Sequence, residues 1–170
     1  MTLLKLSDQD QLLAIKAAQV LIERRIGESA IPELKRVKKW RSPEERRRVM
    51  VLSCGAEIGV ARLLSLPWAG VDSFKDMADV GDNIEVRWTA SDYLILRPTD
   101  REGDVCFLVT GGTLNDLRLL GYYPVTKGRV DKYKLENEEV WFIPKADLYT
   151  YMPIKRAAGA FIGYLGAHLV

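Results

Sequence analysis

Hydrophobic and polar positions recur with two different periods along this chain, and the change of period divides it. From Asp8 the apolar residues Leu13, Ala17, Val20 and Leu21 form a helical stripe. Ser7 stands where a cap is needed, with Asp10 three residues on, and Gly27 is a suitable stop. The pattern predicts a helix over about 8–26. A second helix is announced by Ser42-Pro43-Glu44-Glu45, with Ser42 capping, Pro43 in the first turn and Glu45 completing a capping box. Its stripe, Val49, Leu52, Ala56, Val60 and Leu63, carries it to about Leu64, before Pro67.

From Asp72 the period becomes two. A short strand is expected over 74–79, a turn at Gly81-Asp82-Asn83, and a strand over 84–89. In that strand Ile84, Val86 and Trp88 face one way and Glu85 and Arg87 the other. Further strands are expected over 93–97, 105–110 and 140–143. The nearly unbroken apolar run of 105–110 suits a sheet centre. Residues 98–104 read as a polar loop. Thr113 is expected to cap a short helix over 114–119, and Pro144 to lead into a turn of helix over 146–148. A last helix is expected over 154–169. Its Gly159 and Gly163 make a small-residue step suited to close packing, on the core or on a second copy of the chain as a homodimer.

The expectation is therefore one α/β domain: a central mixed sheet of four to six short strands, flanked by helices on both faces. Residues 1–41 form its helical, basic first part, 42–150 a helix–sheet core and 151–170 a terminal helix. The length of 170 residues suits one core, and 48% hydrophobic with 28% charged residues is ordinary for a globular protein. No signal peptide is recognisable at the start. The apolar C-terminal stretch is too short to span a bilayer, so a cytoplasmic protein without membrane contact is expected. Cys54 and Cys106 lie in apolar surroundings and read as buried reduced thiols; the single histidine, His168, is far along the chain.

A net charge of +2 says little about partners, but its distribution says more. Lys35, Arg36, Lys38, Lys39, Arg41, Arg46, Arg47 and Arg48 crowd around Trp40. Such a run is commonly a solvated face. Beside an aromatic it also suits contact with nucleic-acid phosphates and bases, with Lys38, Lys39, Trp40, Arg46 and Arg47 as the contacts. Lys127, Arg129, Lys132 and Lys134 form a smaller second patch. Gly111-Gly112-Thr113 lacks the lysine and spacing of a phosphate loop and reads as a turn with a helix cap.

The candidate chemistry lies at 57–87. A tight turn between antiparallel strands would bring Asp79 near Glu85. Glu57, on the edge of its helix's apolar stripe, would reach the same place. Two or three carboxylates converging from separate elements suffice for magnesium, which takes hard oxygen ligands and keeps several waters. Two duller readings stand beside this one. Glu85 and Arg87 could be an ion pair on a solvated strand with Asp79 capping a turn, and Glu57 could be the partner of Arg62 or another cation. Asp82 is a rival to Asp79, though its Gly-Asp-Asn setting suits a loop.

The order of helical Glu57 in Gly55-Ala56-Glu57, Asp79 in Ala78-Asp79-Val80-Gly81, and Glu85-Val86-Arg87 resembles the PD-(D/E)XK nuclease superfamily. With Leu64 to Trp68, the run is similar to small phage-type members of that group, over roughly 42–110. The resemblance implies a restriction-endonuclease-like fold and hydrolysis of DNA phosphodiesters with Mg2+ or Mn2+, in a host cytoplasm if the chain is phage-encoded. It implies Asp79 and Glu85 as metal ligands, Glu57 as a direct or water-bridged ligand, and Arg87 in the catalytic place where the family usually has lysine. Arginine cannot serve as a base, so the alternative is a degenerate relative that binds nucleic acid or a protein without cutting.

Overall fold

The computed structural model describes residues 1–28, 42–72, 77–135 and 139–151. Helix α1 (Asp8–Glu28) opens on the expected capping box: Asp10 N–H donates to Ser7 Oγ at 3.2 Å, and Asp10 Oδ2 accepts from Ser7 N–H at 3.2 Å. Helix α2 (Pro43–Leu64) begins where expected, with Glu45 N–H donating to Ser42 Oγ at 3.1 Å. It ends at Ser65, whose φ of 56° turns the chain sharply while its N–H returns to Ala61 and Arg62. The two helices meet through Ala14, Ala17 and Ala18 against Met50, Cys54 and Ile58. Arg62 Nε donates to Asp10 Oδ1 at 2.9 Å, pinning the end of α2 to the start of α1.

Four strands make the main sheet: β1 (Thr2–Leu3), β2 (Ile84–Trp88), β4 (Val105–Thr110) and β5 (Arg118–Pro124), in the order β1-β5-β4-β2. Strands β2 and β4 run parallel and the other pairs antiparallel, so the sheet is mixed. Alternation decides the layers. Ile84, Val86, Val105, Phe107 and Val109 point to α2, while Cys106 and Leu108 point to the other face. That face is covered by a two-stranded ribbon of β3 (Tyr93–Leu96) and β6 (Trp141–Pro144), through Leu94, Leu96 and Ile143. Both faces of β4 are thus dry, which is why its sequence is apolar without interruption.

Several expectations need correction. The short helix expected over 114–119 is a turn followed by β5. Asp116 closes that turn by accepting the N–H groups of Gly112 and Thr113 at 2.9 and 2.8 Å, a side-chain bond that competes with helix formation. Strand β1 was not expected, because two residues carry no period. The expected helices do flank the mixed sheet, but unequally: α1 and α2 lie on one face, and among the described residues the ribbon and the four-residue α3 (Val125–Gly128) serve the other. Residues 77–79 of the strand expected over 74–79 are not extended in a ladder; residues 73–76 and the helix expected over 154–169 lie outside the described residues. None of the described helices is long and apolar enough to cross a membrane.

Candidate functional site

The end of α2 and the start of β2 are tied together by the segment between them. Ala69 N–H donates to the Asp79 carbonyl at 3.0 Å and Gly81 N–H to the Pro67 carbonyl at 2.9 Å. Val80 and Ile84 exchange backbone bonds of 3.0 and 3.2 Å, closing a tight turn in which Gly81 takes a φ of 58°. The turn therefore does bring Asp79 alongside β2, where its Oδ2 accepts the Val86 N–H at 2.8 Å. This N–H lies on the edge of β2 that pairs with no strand among the described residues, so Asp79 caps a sheet edge as well as facing the cluster.

Glu85 and Arg87 share one face of β2, as alternation requires. Arg87 Nη1 lies 2.8 Å from Glu85 Oε2 and 3.9 Å from Asp79 Oδ2. Its Nη2 donates to Asp100 Oδ1 at 2.6 Å. The ion pair of the duller reading is thus real, but it is not on a solvated face: the side chains of Arg87, Glu85 and Asp79 are 19%, 16% and 19% exposed. Glu57 is half-buried, and its Oε2 accepts Trp68 Nε1–H at 3.0 Å. Arg62, the cation once considered for it, belongs to Asp10. Asp82 is exposed, and it is its carbonyl that Arg101 binds, at 2.7 Å.

The electrostatics follow from this packing. Three carboxyl groups, of Asp79, Glu85 and Asp100, lie against one guanidinium, and Glu57 feels the charge of Asp79 from the Trp68 side. Burial, with the charge of Asp79 beside it, pushes the Glu57 carboxyl up to about 8, against the pull of the Trp68 hydrogen bond. Burial also raises Asp79, opposed by the Val86 N–H and by Arg87. Glu85 is raised by burial and by Asp79, again opposed by Arg87. Burial works against the Arg87 charge, but Asp100 and Glu85 hold the guanidinium protonated.

Sequence reading missed Asp100 and Trp68. Asp100 sits in what reads as a polar loop, and nothing in its spacing marks it; only the tertiary structure carries that loop to β2. Among the basic residues, Arg47 is exposed and Arg46 half-buried in the first turns of α2, while Lys38, Lys39 and Trp40 lie outside the described residues. Arg46 and Glu57 lie within about 20° of each other around α2 and about 16 Å apart along it. The second basic patch is largely spent internally. Arg129 donates to the carbonyls of Arg97 at 2.7 Å and Pro98 at 3.1 Å, and Lys132 pairs with Asp147 at 2.8 Å.

No family model, curated protein or solved structure matches this chain. What the site can do rests on its own residues.

The donor chemistry suits a hard divalent cation: several carboxylates, partly reachable from solvent, with more negative than positive charge among them. The side-chain arrangement is that of a guanidinium-centred cluster. Among the described residues no three acidic, histidine or cysteine side chains are gathered as a metal shell. A cation here would have to draw Glu85 away from Arg87.

Proposed function

We propose that this cluster is the active site of a nuclease that hydrolyses DNA phosphodiester bonds with Mg2+ or Mn2+. The observation that carries the reading is the unbalanced charge. Three carboxyl groups brought from α2, the Asp79 turn and β2 are all raised by burial, and the one guanidinium beside them lies 2.8 Å from Glu85 and 3.9 Å from Asp79, while Glu57 bonds Trp68. Such a cluster is relieved by protons or by a cation, and perturbed acids of this kind concentrate at functional sites. The order of these residues, which resembles PD-(D/E)XK nucleases, supports the same assignment.

Asp79 and Glu85 would hold the cation, with Glu57 as a third ligand directly or through water. When bound, a divalent cation polarises a phosphate oxygen and acidifies a water. The protein's own residues supply the rest. Glu57, with its carboxyl raised to about 8, holds its proton near neutral pH and would release it as a cation enters the cluster. Its orientation is fixed by Trp68. Arg87 stays charged, so it acts as a donor to a phosphate oxygen and not as a base. Arg46 and Arg47 would hold the backbone along α2 without reading sequence.

A second reading has its own observation. Arg87 already bonds Glu85 and Asp100 at 2.8 and 2.6 Å, which is how a nuclease-like protein that binds nucleic acid or a protein without cutting would stabilise its acids. Incubation of labelled single-stranded, duplex and branched DNA with Mg2+ or Mn2+ separates the two, with Glu85→Ala purified in parallel. Under the nuclease reading the wild type cuts, and Glu85→Ala binds DNA but does not cut. Absence of cutting by the wild type on every substrate removes that reading in favour of the second.

A further inference from the structure

Asp100 differs from the other acids of the cluster in where its oxygens go. Oδ1 accepts from Arg87 at 2.6 Å and Oδ2 from the Arg97 N–H at 2.8 Å, and the side chain is only 3% exposed. Asp79, Glu85 and Arg87 still reach solvent. The loop bearing Asp100 is itself held. Asp100 N–H donates to the Arg97 carbonyl at 3.1 Å, and Arg129 Nη2 binds the carbonyls of Arg97, Pro98 and Asp100. The Arg129 guanidinium in turn lies over the Trp141 ring, 5.5 Å from its centre. Arg87 thus has one partner locked into a held loop and one, Glu85, that reaches solvent.

The geometry points to Asp100 as a positioning residue that anchors Arg87, so that Glu85 can leave the guanidinium for a divalent cation while Arg87 stays in the site. This assignment rests on the nuclease reading above. Without Asp100, both arms of the guanidinium fall to Glu85 and Asp79, and the cation must compete with it for both. Supporting residues that orient a site in this way commonly change cation affinity by tenfold or more.

The test is a Mn2+ titration of the full chain, following the electron-spin resonance of free Mn2+, for the wild type, Asp100→Asn, Arg87→Met and the double variant. Far-ultraviolet circular dichroism checks that each is folded. The expected result is affinity about tenfold weaker in Asp100→Asn, shrinking to less than about threefold when Arg87 is already absent. Equal weakening in both backgrounds means that Asp100 acts only through its own charge, and it overturns the anchoring role. No weakening in either background overturns it as well. If the wild type binds no Mn2+ and cuts no DNA, it is the nuclease reading that fails and the inference falls with it. Should Asp100→Asn not fold, Asp100→Glu, which keeps the charge but displaces it, carries the same comparison.

Discussion

Replacing Glu57 by Gln removes a carboxyl that this fold holds well above its usual range. Gln keeps an acceptor for Trp68 Nε1–H, so the packing of α2 against the Trp68 segment is preserved. In the wild type, burial and the neighbouring Asp79 lift the carboxyl from 4.5 to about 8. The folded chain therefore holds this proton at pH values where the unfolded chain has lost it. Between those two values the folded state binds more protons, so stability falls as pH rises through the window. Carried through in full, the displacement corresponds to about 5 kcal/mol. Part of it belongs to repulsion from Asp79, which water screens, and a net difference of about 2–3 kcal/mol is expected for Glu57 alone. Urea denaturation of wild type and Glu57→Gln from pH 5 to pH 9 measures it. The variant should match the wild type near pH 5 and exceed it by about that amount at pH 9. Parallel profiles across the whole range would show that Glu57 does not carry the strain assigned to it.

Arg87→Met should lower stability by about 3–5 kcal/mol at pH 7, because Glu85 and Asp100 lose their shared counter-ion. The loss should shrink toward pH 5 as Glu85, whose carboxyl burial raises, takes up its proton, and denaturant titration at the two pH values reads both. Gly121→Ala puts a methyl group 2.7 Å from the Tyr149 carbonyl and 2.8 Å from Leu148 Cβ, so β5 must shift. A loss of about 1–3 kcal/mol by thermal unfolding is expected. In DNA-binding titrations at several salt concentrations, Arg46→Ala with Arg47→Ala should reduce the slope of log affinity against log salt by about 2 if both touch phosphates. An unchanged slope would place the DNA elsewhere.

Much of this protein was legible in its sequence because local physics repeats. The caps at Ser7 and Ser42 and the stripes behind them set where α1 and α2 begin, since a helix start depends on residues only three or four apart. Alternation in 84–88 set which side chains of β2 meet the core, so Glu85 and Arg87 had to share a face. The Gly81 turn made the approach of Asp79 to β2 legible as well. Local signals failed where a side chain chose the backbone path or where the period was too short to read. Asp116 turned an expected helix into a turn before β5, and β1 is two residues long.

What only the tertiary structure decided is the company Arg87 keeps. In sequence, Asp100 is one acid in a polar loop, thirteen residues from Arg87 and unrelated to it by any period. It reaches the guanidinium because Arg129 gathers the loop's carbonyls while the ribbon of β3 and β6 covers that face of the sheet. The same long-range packing half-buries Glu57 and sets Trp68 against it. Charge type is written residue by residue. The strength of a charge depends on burial and on neighbours brought from elsewhere in the chain, and those exist only once the layers have closed.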